Sequence, residues 1–353
     1  VTNFKNEIIE LFSNNNMSKA FNISKDDIVD VILTSATELE FWVRTPENNN
    51  VKVKELSTSQ VMQEQYWKRT KGTVRTALER SLLILDKYGL EAEMGHKEVG
   101  GVKAKLTSDG TTTNIMEQLE IDWKYAESLQ TADNELLART FVKEIFQHHG
   151  LDVSFKAKPI EGVAGSGEHT HVGVSLKLKN GKIINLFTPE NMTKEYLSIP
   201  GWGALMGILN NYEIINPFIS ATNDSLERLK PGFEAPVSIV ASIGNDIATP
   251  SRNRTVLLGL IRDLNNPFAT RFEVRSTNPH SNTYLVIATL YQCMLEGIKY
   301  AVESSKTEKE LEAEFNKKQG QSADYLAKDR EYRSELDVFD EYTEEERNSL
   351  FGK

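Results

Sequence analysis

Six short stretches of this sequence place side chains where they could do chemistry. The first is Glu38-Leu39-Glu40. On a strand, residues two apart share a face, so both carboxylates would point together while Leu39 and Phe41 turn into a core. Like charges this close repel unless a cation lies between them, and carboxylate oxygens suit hard ions such as Mg²⁺ and Mn²⁺. The pattern fits equally an exposed edge strand with two solvated glutamates. The second stretch holds Glu127 and Glu135. In one straight strand they would stand roughly 26 Å apart, so a shared site requires the break at Thr131-Ala132-Asp133-Asn134 to fold the chain back; otherwise they mark a strand end and a helix N-terminus. The third runs from Lys156 to His171. Its Gly165-Ser166-Gly167 turn admits close backbone approach to a ligand, and His169 and His171 share a face of the strand it feeds, which suits a metal or a phosphate. The fourth, Asn223 to Pro236, holds Arg228, sets a Pro-Gly turn before Glu234 and reads as a mobile loop. The fifth is Ser251 to Thr255, which carries Arg254. The sixth puts Arg271, Glu273 and Arg275 on one strand face and Phe272 and Val274 on the other; alone it reads as a structural ion triad.

The elements that must position these groups alternate irregularly. Residues 4–12 have the spacing of a short amphipathic helix, and the β-branched run 28–33 continues as a strand through Val43. Helical periodicity is clearest over Val74–Tyr88, with Gly89 just past its end. A strand is expected over Leu119–Leu129, broken at 131–134, before a helix from Glu135 to His149 closed by Gly150. Strands at 153–157 and 169–178 flank the Gly-rich loop, and Asn180-Gly181 signals a hairpin. A helix over 201–214 should stop before Asn216-Pro217. Short strands follow at 237–243, 255–262 and 271–275, then a long helix from Asn282 to Val302. Strands and helices do not alternate cleanly, which excludes a doubly wound sheet and predicts an α+β body. The expected organisation is a helical lead-in over 1–33, one body over 34–302 and a solvated, charged helical tail over 303–353.

The composition narrows the function class. The chain has 353 residues, 51 acidic and 41 basic, for a net charge of −10. An acidic total argues against a nucleic-acid partner. No apolar run approaches the roughly 20 residues that span a bilayer, and no basic-then-apolar leader opens the chain. The single cysteine, Cys293, forms no internal disulfide, which fits a reducing, cytoplasmic setting.

Taken in order, the six motifs resemble glutamine synthetase, over about three-quarters of the chain, from Glu38 to about Ala301. The order Glu-x-Glu, Glu-x₇-Glu, Lys-Pro…Gly-Ser-Gly-x-His-x-His, Arg-Leu-x-Pro-Gly-x-Glu-Ala-Pro, Asn-Arg-Thr and Arg-x-Glu-x-Arg is specific although each piece is weak. The resemblance implies a curved, mainly antiparallel sheet lining the active site with helices around it. It also implies ATP-dependent ligation of ammonia to the γ-carboxylate of glutamate through γ-glutamyl phosphate, with two or three Mg²⁺ or Mn²⁺ ions, in a ring-type homo-oligomer. By the same resemblance Glu40, Glu127 and Glu135 are the carboxylates of one metal site, and Glu38, His169 and Glu273 ligate the second metal. His171 is a phosphate-side histidine, and Arg228 and Arg275 hold glutamate. Arg254 and Arg271 serve the transferred phosphate and the nucleotide. Glu234 closes over the site and takes a proton from ammonium, and Gly165 sits in the loop that contacts glutamate.

Departures from the family pattern accompany this. Ala164 stands where the family commonly has Asn, and the stretch from Ala235 to Arg252 is long. A second phosphate-side arginine falls on Gly259, for which Arg262 is the expected substitute. Residues 1–33 do not read as the β-grasp domain that precedes the family's catalytic body, and the chain begins with Val1, so a catalytic-region fragment is expected. Two alternatives stay open: a related γ-glutamyl-amine ligase using another amine, and a non-catalytic structural or regulatory relative.

Overall fold

The computed structural model describes residues 1–46, 57–58, 70–103, 116–232 and 235–352. In chain order the elements are α1 (Thr2–Leu11), α2 (Asn15–Phe21), β1 (Ile28–Arg44), β2 (Ser57–Thr58), α3 (Gly72–Lys87), β3 (Ala92–Lys103), β4 (Met116–Trp123) and β5 (Ala126–Glu127). They continue with α4 (Ser128–His148), β6 (Asp152–Ser154), β7 (Glu168–Leu178), β8 (Ile183–Asn185), α5 (Ile199–Ile219), α6 (Asn223–Arg228), β9 (Ala241–Ser242), β10 (Leu258–Asp263) and β11 (Asn266–Val274). Three helices end the chain: α7 (Thr283–Glu303), α8 (Glu308–Phe315) and α9 (Glu344–Leu350).

One open sheet organises the molecule, in the order β2-β3-β4-β1-β7-β11-β10-β9, with β5 and β6 on β1 and β8 on β7. Its pairings are antiparallel except for β10 with β9. The long strand β1 lies at the centre because its alternation serves two cores. Val31 and Leu33 join the larger core with α1, α5 and α7. Leu39, Phe41 and Val43 join a second core beneath α3 and α4, where Phe41 meets Phe146 edge to face at 5.5 Å. Each such buried side chain contributes roughly 1.5–3 kcal/mol. The opposite face of the same strands carries the charged residues.

Helices α5 and α7 cross very closely. A Cβ on Gly203 would lie 2.5 Å from the Gly297 carbonyl oxygen, and one on Gly297 would lie 2.0 Å from that of Gly203. Glycine is required there because backbone meets backbone. Helix α7 is long and apolar enough to cross a membrane by length and composition, but it is a central element of the larger core.

Four expectations need correction. The helix α4 begins at Ser128, so residues 131–134 are helical rather than a break. Helix α5 does not stop before Asn216-Pro217 but runs through Pro217 to Ile219, at the loss of the backbone hydrogen bond that the proline cannot donate. Of 237–243 only Ala241–Ser242 pairs as strand. The terminal segment is not simply solvated: Leu311, Phe315, Leu326 and Tyr332 enter the larger core, and Val338 and Phe351 form a small core with Val237, Val240 and Val256.

Candidate active site

The sheet register lays the charged residues out as a band. On β1, Glu38 stands opposite Asp122 of β4 on one side and His169 of β7 on the other, and Glu40 stands opposite Glu120. Glu120 in turn faces His96 of β3, while Glu273 of β11 lies between His171 and Gly259. Because each strand alternates with period two, Glu38 and Glu40, His169 and His171, His96 and Glu98, and Gln118, Glu120 and Asp122 all emerge on the same face. All of these except His171 line a cleft of about 560 Å³ that also receives Gly165, Arg228, Arg254, Glu273 and Arg275.

Two clusters stand out within it. In the first, Glu38, His169 and Glu273 bring ligand atoms within 4.8 Å of one another. His169 Nδ1 lies 2.9 Å from Glu38 Oε2, and His171 Nε2 lies 2.8 Å from Glu38 Oε1. Arg271 Nε donates to His171 Nδ1 at 3.2 Å, which makes that nitrogen an acceptor and leaves the His171 proton on Nε2, facing Glu38. Burial opposes ionisation of Glu38, but the two imidazoles outweigh it and hold its carboxyl well below the usual range. Glu273 is paired with Arg275, whose Nε also donates to the Arg254 carbonyl at 3.1 Å.

In the second cluster, His96, Glu98 and Glu120 likewise gather within 4.8 Å. His96 Nε2 is 3.4 Å from Glu120 Oε1, and His96 Nδ1 is 3.6 Å from Glu98 Oε1. Burial, and then the charge of Glu40, push the Glu98 carboxyl up to about 8. Burial, followed by Glu98, Asp122, Glu38 and Glu40, lifts Glu120 well above its ordinary value, and burial with the Glu38 charge lifts Asp122 to about 6. Carboxylates crowded and buried this way are short of positive charge. Oxygen donors with one imidazole per cluster fit hard divalent ions such as Mg²⁺ or Mn²⁺.

A second cavity of about 580 Å³ adjoins the cleft, sharing Glu38 and Asp122 with it. His171 and Arg271 stand on its wall together with Tyr125, Phe268 and Ile32, so a charged end meets an apolar one.

The sequence-derived set is thus partly gathered and partly scattered. Glu38, Glu40, His169, Glu273, Arg228, Arg254, Arg275 and Gly165 meet at the cleft, with His171 and Arg271 on its flank. Glu127 and Glu135 do not reach it. Since α4 starts at Ser128, Glu127 is exposed at its N-cap, and Glu135 is fully buried on the reverse face of the sheet, where it accepts from Thr37 Oγ1 at 2.6 Å beside Arg139. Glu98 and Glu120 occupy the place beside Glu40 instead. The signal for them was present: His96-x-Glu98 and Gln118-x-Glu120-x-Asp122 show the alternation already noticed in Glu38-x-Glu40.

Arg262 is also misplaced as a phosphate-side residue. It lies on the reverse face of β10, bonded to the Met192 carbonyl and stacked at 5.7 Å over Tyr196, whereas Gly259 and Ile261 face the cleft. Arg228 lines the cleft but donates to the carbonyls of Arg275, Ser276 and Thr277 at 3.1–3.3 Å, and burial lowers its guanidinium to about 10. It also packs against Gly165, where a Cβ would lie 2.8 Å from Arg228 Cγ and 2.3 Å from the Ala157 carbonyl oxygen, so only glycine fits. Glu234 lies outside the described residues.

Comparison with known proteins joins this geometry to a family. The family profile described as the glutamine synthetase catalytic domain matches residues 19–331. The chain belongs to the glutamine synthetase family. It is 39% identical over 221 residues to the glutamine synthetase of Clostridium saccharobutylicum and 33% identical over 216 residues to that of Pyrococcus abyssi. These alignments cover 62% and 61% of this chain and 42% of each relative, so the chain matches well under half the length of these glutamine synthetases. The fold is similar to Plasmodium falciparum glutamine synthetase, with a TM-score of 0.59 and 19% identity over 83% of this chain and 55% of the other. It is similar also to the GmaS chain solved with ADP, at a TM-score of 0.54 and 21% identity, covering 83% and 59%.

Proposed function

We propose that this chain is the catalytic region of an ATP-dependent ligase that joins ammonia to the γ-carboxylate of L-glutamate, giving glutamine, ADP and phosphate. The observation that supports the reading most is the convergence of two carboxylate–imidazole clusters and two cleft-facing arginines, Arg254 and Arg275, on one face of the sheet. A carboxylate is a poor electrophile, so activation by phosphoryl transfer to γ-glutamyl phosphate is required before an amine can attack.

In this reading Glu38, His169 and Glu273 would hold one divalent ion, and His96, Glu98 and Glu120, with Glu40 beside them, would hold another. When bound, Mg²⁺ or Mn²⁺ supplies positive charge against the phosphate and carboxylate oxygens. Arg254 adds a planar cation at the transferred phosphoryl group, and Arg275, held by Glu273 and the Arg254 carbonyl, presents its remaining donors to the glutamate carboxylate. The nucleotide takes the adjoining cavity, phosphates toward His171 and Arg271 and base toward Tyr125 and Phe268. Glu234, from its place in the sequence, accepts the proton that ammonium must lose before it attacks.

A second reading keeps the chemistry and changes the nucleophile to a larger amine. Gly259 favours it: a Cβ added there would meet nothing nearer than Glu273 Oε2 at 3.7 Å, so this part of the cleft is open. The test is γ-glutamyl hydroxamate formation from glutamate, ATP, Mg²⁺ or Mn²⁺ and hydroxylamine. No product from this chain or from a full-length form would overturn the ligase reading; ethylamine or putrescine outcompeting ammonium would decide for the second.

A further inference from the structure

Gln118 has no part in the chemistry proposed above, yet its side chain ties one ligand carboxylate to two backbone segments of the site. It is buried on β4 beside Glu120. Its Nε2 donates to Glu40 Oε2 at 2.9 Å and to the Gly165 carbonyl at 2.8 Å, while its Oε1 accepts from the Gly100 amide at 3.0 Å. The amide has one possible orientation: a backbone N–H only donates, and a carboxylate and a carbonyl only accept. The Glu40 oxygen that Gln118 holds also accepts from the Gly167 amide at 2.7 Å, and the Glu40 amide donates back to the Gly167 carbonyl at 3.1 Å. One oxygen of Glu40 is therefore committed to the loop, and Oε1 is left toward the cleft, 3.9 Å from His169 Nε2. Trp42 Nε1 donates to the neighbouring Ala164 carbonyl at 3.1 Å rather than to Glu40.

We propose that Gln118 is a positioning residue that aims Glu40 at its cation and, with the same amide, fixes the 163–167 loop, so that cation binding and loop placement are coupled. The inference rests on the reading of the cleft as a cation-dependent ligase site. Loss of an outer partner of a ligand carboxylate weakens metal binding by about 10–100-fold. Methionine at this position keeps the volume and removes all three hydrogen bonds. Glutamate would set a carboxylate against Glu40 and the Gly165 carbonyl.

The experiment follows free Mn²⁺ by electron paramagnetic resonance and backbone hydrogen exchange of residues 160–168, for the unaltered chain, Gln118→Met, Gln118→Glu and Trp42→Phe. In the unaltered chain Mn²⁺ should slow exchange in the loop. Gln118→Met and Gln118→Glu should each weaken Mn²⁺ binding about 10-fold or more and leave the loop exchanging quickly even when the ion is saturating. Trp42→Phe should loosen the loop with Mn²⁺ affinity changed by less than about 2-fold, since it removes one neutral hydrogen bond away from Glu40. Unaltered Mn²⁺ affinity in both Gln118 variants, with only a lower melting temperature, overturns the proposal. So does an unaltered chain whose loop exchange ignores bound Mn²⁺, a result that needs no variant to fold. Failure of the unaltered chain to bind Mn²⁺ at all refutes the reading of the site itself.

Discussion

Glu98→Gln distinguishes the carboxylate cluster seen in the cleft from the one expected on the sequence alone. In the ion-free protein Glu98 carries a carboxyl raised from 4.5 to about 8 by burial and by Glu40. A displacement of that size corresponds to roughly 5 kcal/mol of disfavoured ionisation, spread over the coupled carboxylates that surround it. Its sign follows from proton linkage. A raised carboxyl contributes stability that is present below its unfolded value near 4.5 and is lost as pH rises through about 8. The ion-free chain should therefore melt lower at pH 8.5 than at pH 6, and Mn²⁺ should reverse the loss at the higher pH. At about 100 times its dissociation constant, an ion that binds only the folded state adds about 2.7 kcal/mol, or roughly 4 °C for a chain of this size. Glutamine at position 98 removes a charge but keeps the shape. It should flatten the pH dependence, raise the ion-free melting temperature at pH 8.5 and abolish most of the Mn²⁺ increment. Glu135→Gln should behave oppositely. It weakens the buried pairing with Thr37 and Arg139, at about 1–3 kcal/mol, yet leaves the Mn²⁺ increment intact. Differential scanning calorimetry at both pH values, with and without Mn²⁺, reads all of this. A full Mn²⁺ increment in Glu98→Gln together with its loss in Glu135→Gln would refute the placement.

Three further outcomes follow from the same geometry. Arg262→Met should leave hydroxamate formation within about 2-fold, and its effect on melting should be small or stabilising, because the arginine faces away from the cleft and its Nε and Nη1 are buried without partners; a large loss of turnover would restore it to the phosphate side. Tyr125→Ala should raise the KM for ATP by about 10-fold, the scale of one base–aromatic contact, with kcat little changed; an unchanged KM would remove the base from that cavity. Gly297→Ala should destabilise the fold by about 1–3 kcal/mol or more, since its Cβ would be forced to 2.0 Å from the Gly203 carbonyl; chemical denaturation measures it, and a neutral result would mean that α5 and α7 separate at little cost.

The residues that could be read from the sequence share a property: each depends on local alternation or on a short loop. The shared face of Glu38 and Glu40 was legible because period two survives any tertiary arrangement, and β1 is long enough to show it. The turn at Gly165–Gly167 and the histidines that follow are likewise local, as is the exclusion of a doubly wound sheet. Glu127 and Glu135 failed for a nonlocal reason. A carboxylate is equally at home in a site, at a helix N-terminus or in a buried ion pair, and Thr131 to Asn134 carry turn-forming side chains that α4 absorbs: Thr131 bonds back to the Ser35 carbonyl at 2.8 Å and Gln130 donates to Asn134 at 2.8 Å. Arg262 failed through register: on β10 Gly259 and Ile261 share the cleft face, and Arg262 is one residue out of phase.

The same reasoning explains why Glu98, Glu120 and Gln118 are meaningful only as a set. Alone, Glu120 is a carboxylate on a strand, and Gln118 is a polar residue two positions before it. Pairing of β4 with both β1 and β3 is what turns them inward beside Glu40 and Glu98. Once there, each constrains the others. Glu98 raises the proton affinity of Glu120, Glu40 raises that of both, and Gln118 commits one oxygen of Glu40 to the loop, so that the other is turned to the cleft. A cation would therefore meet a set of donors whose directions are already fixed and whose repulsion it relieves. The strain of holding those charges together in its absence falls on the ion-free fold, which is why the pH dependence of melting, rather than turnover alone, is the sharpest measure of whether these carboxylates form one site.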